Sequence, residues 1–226
     1  MRVLVVAAHP DDEVLGCGGA IARHVRDGDE VHIVIMAEGL TSRSDYDGST
    51  GRDELSELAQ AAHAANAVLG VADISLLRLP DNRMDSMDRL DVIKVIEEKI
   101  TSFCPELVYT HHAGDMNIDH RIIHDAVNTA CRPLPGHSVK SLLYFEVNSS
   151  TEWQIPGSAP MFTPNWFVDI SETLELKLAA LHEYETEMRA WPHPRSYQAV
   201  EHLARWRGAI VGVDAAEAYV LGRLIR

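Results

Sequence analysis

Short apolar runs alternate with helix-patterned stretches along most of this chain, and that alternation limits the folds open to it. Residues 3–7 and 31–36 are strand-like and apolar nearly throughout. A strand covered on both faces reads as a continuous apolar run, whereas a half-exposed one alternates. Helical patterns fall at 14–26, 52–69, 87–103, 119–131, 174–188 and 196–211. Within 87–103, Leu90, Ile93, Ile96 and Ile100 form one stripe. Further strands are expected at 74–77, 107–110 and 141–147, with an edge strand at 166–170. The polar stretch 38–51 and the proline-bearing stretch 149–164 read as loops. Strands alternating with helices build βαβ units with right-handed crossovers. The expected fold is therefore α/β, a three-layer αβα Rossmann-like sandwich with a mostly parallel sheet. At 226 residues, with no repeat or low-complexity linker, the chain is expected to form one domain over 1–226.

Charge narrows the range of partners. The formal net charge is −14, which disfavours nucleic acid and anionic membrane surfaces as partners. No apolar run is long enough to span a bilayer, and the first residues enter a strand without a basic leader. Cys17, Cys104 and Cys131 are an odd set without CxxC spacing, which fits free thiols in a reducing compartment. A cytoplasmic protein is expected.

The run Ala8-His9-Pro10-Asp11-Asp12-Glu13 directly follows the first strand. In an open α/β sheet, ligands bind at that end of the strands. Crowded carboxylates repel one another unless a cation or proton compensates them. His9 and Asp12 lie on one short turn, so both reach one ion, and they suit zinc or ferrous iron. A catalytic site of this kind takes three protein ligands and leaves one position open. His120, in Gly114-Asp115-Met116-Asn117-Ile118-Asp119-His120, is the first choice for the third, with Asp119 behind a ligand. Asp11 is then free to act as general base. Acids at a helix start are also common caps, which accounts for one acidic residue but less well for His9 and three acids together. His124, four residues after His120, shares its helical face and is read as packing or capping rather than as a ligand. The glycines after the acidic run resemble a dinucleotide loop only weakly, because acids stand where the phosphate loop would begin.

The acidic run, the Gly16-Cys17-Gly18-Gly19 that follows and the later Asp119-His120 pair resemble the PIG-L/LmbE-like family of metal-dependent N-deacetylases. The resemblance extends through Arg52-Asp53-Glu54, Leu79-Pro80-Asp81, Arg207-Gly208 and Ala216-Glu217-Ala218. It implies His9, Asp12 and His120 as metal ligands, Asp11 as base, Zn2+ (or Fe2+) as cofactor and an N-acetylated amino sugar as small-molecule substrate. It also makes a homo-oligomer the expected assembly.

Many relatives carry a His three residues before the ligand His, and here that position is Asn117. An amide donates a hydrogen bond to an oxyanion but delivers no proton at neutral pH. Asn117 thus stands as a catalytic candidate without a proton. Either Asp11 shuttles the proton both ways or another His, such as His193 between two prolines, delivers it. Arg52 and Arg195 are candidates for binding sugar hydroxyls or a phosphate, and Asp81 for binding sugar hydroxyls. Arg52 is equally readable as a surface charge and Asp81 as a turn residue. The competing functions are another metal-dependent amidase or esterase on a non-sugar substrate, and a non-catalytic sugar- or nucleotide-binding module.

Overall fold

The structure, a computed structural model, describes residues 1–37 and 51–226, and for 51–56 only the helical backbone. The sequence expectation for 38–51 as a loop lies almost wholly outside the described residues, as does the side chain of Arg52.

Among the described residues, seven strands form one sheet: β1 (Arg2–Ala7), β2 (Glu30–Ala37), β3 (Asp73–Leu79), β4 (Leu107–His111), β5 (Ser141–Phe145), β6 (Trp166–Asp169) and β7 (Ala216–Leu224). Their order across the sheet is β3-β2-β1-β4-β5-β7-β6. The first five pair in parallel, and β7 runs antiparallel to both β5 and β6. Among the described residues, six α-helices accompany them: α1 (Asp12–Arg26), α2 (Gly51–Val68), α3 (Arg89–Phe103), α4 (Ile118–Ala130), α5 (Leu174–Glu183) and α6 (Tyr197–Val211).

The alternation of β1 shows why its sequence is apolar throughout. Val3, Val5 and Ala7 join the core under α1, α2 and α5, while Leu4, Val6 and Ala8 join the core under α3 and α4. Both faces are covered, as the three-layer expectation requires. β7 is a strand that the sequence reading does not anticipate. The helix expected to run to residue 188 ends at Glu183.

Helix α1 is broken at Cys17, whose φ of −150° is non-helical. Gly16, just before the break, lets α1 lie close on the sheet: a Cβ there would meet the Phe145 ring at 2.3 Å. Glu217 of β7 serves the second half of α1 as a cap, accepting the amides of Gly19 (2.9 Å) and Ala20 (2.8 Å). Lys177 of α5 donates to Glu217 (2.6 Å) and to the Leu15 carbonyl (2.8 Å) that the break leaves free. Both charged side chains are buried, and each end of the break finds a partner.

The sheet order reverses between β1 and β4: β2 and β3 lie on one side of β1, and β4 and β5 on the other. That reversal opens a crevice beyond the carboxyl ends of β1 and β4. The chain leaves β1 into residues 8–12 and leaves β4 into residues 112–117, so both candidate segments meet at that crevice.

Candidate active site and metal centre

The turn after β1 turns sharply at Asp11, whose φ is 101° in the left-handed region. Such a backbone is uncommon for a residue with a side chain and persists only where its surroundings enforce it. Here the Asp11 amide donates to Glu13 Oε2 (3.1 Å), and its carbonyl accepts from Val14 (3.1 Å) and Leu15 (2.8 Å). Glu13 Oε1 accepts in turn from Asn66 Nδ2 (2.9 Å) and Tyr184 (2.7 Å). Burial pushes the Glu13 carboxyl up to about 7 against the lowering effect of those two donors. Asp11 occupies the N-cap position of α1 but makes no side-chain cap there. Its carboxylate faces Arg195 instead, with Nη1 donating to Oδ2 at 2.9 Å. Burial raises the Asp11 carboxyl well above its usual range, and the Arg195 charge opposes that rise.

His9, Asp12 and His120 come together. His9 Nδ1 and His120 Nε2 are 3.4 Å apart, and Asp12 Oδ2 lies 3.3 Å from the first and 3.1 Å from the second. Asp12 Oδ1 is buried without a hydrogen-bond partner among the described residues. Two imidazole nitrogens and one Asp12 carboxylate oxygen within 4.8 Å of one another make a donor set suited to zinc or ferrous iron. The outer nitrogens of both imidazoles rest on carboxylates, the arrangement that fixes ligand tautomer and direction. His9 Nε2 hydrogen-bonds Asp119 (3.1 Å) and lies equally near Asp81. His120 Nδ1 lies 3.1 Å from Asp115, a charge contact rather than a well-aligned hydrogen bond. Burial alone would lower both imidazoles. The acids override it, raising His120 to about 9 through Asp12 and Asp115, and His9 well above its usual value through Asp119, Asp12 and Asp81. These residues fit the implied metal.

The Asp119 carboxylate lies behind His9, against its Nε2. It also accepts the amides of Asn82 (2.7 Å) and Met84 (3.0 Å), tying the turn after β3 to the start of α4. Asp81 lies within that turn, buried against His9. Asn117 is the N-cap of α4: its Oδ1 accepts from Asp119 (2.8 Å) and His120 (3.4 Å), and its Nδ2 donates to Asn82 (2.8 Å). Both ends of its amide are thus engaged in holding the ligand helix. His193 lies in the loop that carries Arg195, with Nδ1 accepting the Arg195 amide (3.0 Å) and its ring edge-on to Trp153. His124 turns to the His111 carbonyl (2.9 Å) and Asn128 (3.0 Å).

Two site residues escape the sequence reading. Asp115 is fully buried and gathers the hydroxyls of Ser150 and Thr151, the Asn117 amide (2.9 Å) and the His120 contact. His111 ends β4, stacks on His120 with ring centroids 3.9 Å apart and accepts the Ala8 amide (2.8 Å). Burial and the neighbouring His120 hold the His111 imidazole well below its usual pKa, so it stays neutral.

Fold and site together define a class: a doubly wound α/β protein with a candidate two-histidine, one-carboxylate centre at the point where its strand order reverses. The model of the PIG-L family, described as GlcNAc-PI de-N-acetylase, matches residues 4–131. That span exceeds half of the chain and includes His9, Asp12 and His120, and the chain belongs to the PIG-L family. It is similar to the uncharacterized deacetylase YaiS of Escherichia coli K12, with 28% identity over 190 residues, covering 81% of this chain and 90% of that protein. Among solved structures it resembles N,N'-diacetylchitobiose deacetylase from Pyrococcus horikoshii, with a TM-score of 0.79 and 21% identity over 98% of this chain and 84% of that one. It equally resembles the 4-carboxy-2-hydroxymuconate hydratase GalB of Pseudomonas putida KT2440, with a TM-score of 0.78 and 21% identity over 100% and 98% of the two chains. These likenesses speak for the fold alone, and a hydratase among them shows that the fold does not fix the reaction.

Proposed function

We propose that this protein is a metal-dependent hydrolase that removes the N-acetyl group from an amino-sugar compound and releases acetate. The observation that carries the reading is the convergence of His9 Nδ1, His120 Nε2 and Asp12, with the Asp11 carboxylate on the adjoining residue. Those three residues would hold Zn2+ or Fe2+, which supplies Lewis acidity at the acetamide carbonyl and acidifies water there. Asp11 takes the proton from the attacking water as general base. It then returns that proton to the leaving amine, because Asn117 has no proton to give and its amide is engaged at the helix start. His193, in the loop that carries Arg195, is the alternative donor. Arg52, which opens α2, is a candidate for the sugar hydroxyls, while Asp81 acts on the site through His9. The names of relatives support the substrate class: YaiS is called a deacetylase, and the Pyrococcus enzyme acts on a diacetylated chitobiose.

The test is metal content together with acetate release from N-acetylglucosamine-containing compounds, for the wild type and Asp11→Ala. The variant is expected to keep its metal and lose hydrolysis. Acetate release distinguishes this reading from an esterase or amidase on a non-sugar substrate. Failure of the wild type to bind zinc or iron on reconstitution would sink the site assignment.

A further inference from the structure

Asp11 is surrounded by acids. Asp12 and Glu13 follow it in sequence, and Glu187 approaches the same guanidinium at 3.8 Å. The cation that the fold brings to Asp11 is Arg195, 184 residues later, at 2.9 Å. Its side chain is only 23% exposed, so the guanidinium is largely enclosed beside the base rather than extended into solvent. The loop bearing it is closed on itself: the Arg189 amide donates to the Arg195 carbonyl (3.1 Å), and the His193 amide to Ala190 (3.1 Å). Asn148 Nδ2 pins the Pro194 carbonyl (3.2 Å), and Ser196 caps α6 immediately afterwards. Arg195 therefore has little freedom to follow a substrate.

We infer that Arg195 is the positioning residue of the general base, and not a sugar- or phosphate-binding cation. It fixes one carboxylate oxygen of Asp11, while Glu13 fixes the Asp11 backbone from below. With both ends of the residue held, the carboxylate keeps one direction despite the repulsion of its acidic neighbours. Fixed placement of a reacting group matters because a misplacement of about 1 Å costs roughly a hundredfold in rate. This inference rests on the proposal that Asp11 is the base of a deacetylase.

The experiment compares Arg195→Gln, Arg195→Lys, Asp11→Asn and the double variant Asp11→Asn/Arg195→Gln. Acetate release and thermal unfolding are measured on each. Arg195→Gln is expected to lower kcat roughly a hundredfold with KM changed by less than about threefold. Arg195→Lys is expected to recover part of the loss, since it restores the charge without the fork. In the Asp11→Asn background, Arg195→Gln is expected to cause no further loss of rate, because its effect passes through the carboxylate. A KM raised tenfold or more at unchanged kcat would make Arg195 a substrate contact and overturn the inference, as would losses that multiply in the double variant. Unfolding supplies a readout free of substrate: the drop in Tm caused by Arg195→Gln should be large in the wild type and small in the Asp11→Asn background. If the wild type releases no acetate from any substrate, the deacetylase reading falls. Arg195 is then judged on the unfolding cycle, where additive shifts refute its coupling to Asp11.

Discussion

Replacing Asp115 tests whether the centre is built to hold its ligands in one direction. The Asp115 carboxylate touches His120 Nδ1 at 3.1 Å and also gathers Ser150, Thr151 and the Asn117 amide. In Asp115→Asn an acceptor oxygen remains, but the bond to the imidazole loses its charge. Hydrogen bonds to charged groups contribute about 1.5–3 kcal/mol and neutral ones about 0.5–1.5. The difference is about 1–1.5 kcal/mol, which is close to tenfold in a dissociation constant. Because His120 Nδ1 meets Asp115 as a charge contact without a well-formed hydrogen bond, the lower end of that range applies. Asp115→Ala removes the support altogether, and losses of ligand support typically weaken metal binding by about 10–100-fold. The assay is titration of the metal-free protein with zinc against a competing chelator, followed by kcat on the loaded protein. The expected order of affinity is wild type, then Asn, then Ala. If Asp115→Asn binds zinc as tightly as the wild type while its Tm falls, Asp115 is only a clamp for the loop of Ser150 and Thr151, and the argument fails.

Lys177→Met should destabilise the protein by about 3–5 kcal/mol, because it leaves the Glu217 carboxylate buried without its ion partner. Urea unfolding measures this, and a loss below about 1 kcal/mol would show that the two amides of α1 and the Tyr219 hydroxyl suffice for Glu217. His124 gives a pH signature. Burial lowers its pKa from the ordinary 6.5, so the folded state resists protonation there. Its contribution is fully present above the unfolded value of 6.5 and is lost as pH falls below that value and through the lowered folded one. Calorimetry from about pH 8 to about pH 5 should therefore show wild type losing Tm relative to His124→Gln on the acid side, with metal content equal in both. A gap that widens in favour of the wild type at low pH contradicts that sign.

What is readable in the sequence, and what is not, divides along physical lines. β1 is legible because burial on both faces leaves an unbroken apolar run, and the His9–Asp12 turn is legible because its acids crowd together where an α/β sheet binds ligands. β7 is hidden. Glu217 and Arg223 interrupt its apolar pattern, and the burial of Glu217 depends on a broken helix elsewhere in the chain. Asp115 is hidden because a lone Asp after Gly114 looks like a turn residue until Ser150 and Thr151 are folded over it. The role of Arg195 lies beyond reach for the same reason, since its partner is 184 residues away. Asn117 carries a signal that is available but outweighed: an Asn followed by Ile118 and Asp119 opens a helix, and capping is what it does.

The place of β7 bears on how the molecule is assembled in time. It lies between β5 and β6, so β6, although made earlier, has no strand to pair with until the final segment arrives. A nascent chain that has emerged through α4 already carries His9, Asp12 and His120, and its first four strands can pair in parallel. Such a chain still lacks Arg195 beside Asp11 and Glu217 at the break in α1. Long-range pairings of this kind form late and slowly. The candidate metal ligands are therefore made before Arg195 and Glu217, and a fragment ending before residue 216 would carry them on a sheet that still lacks β7.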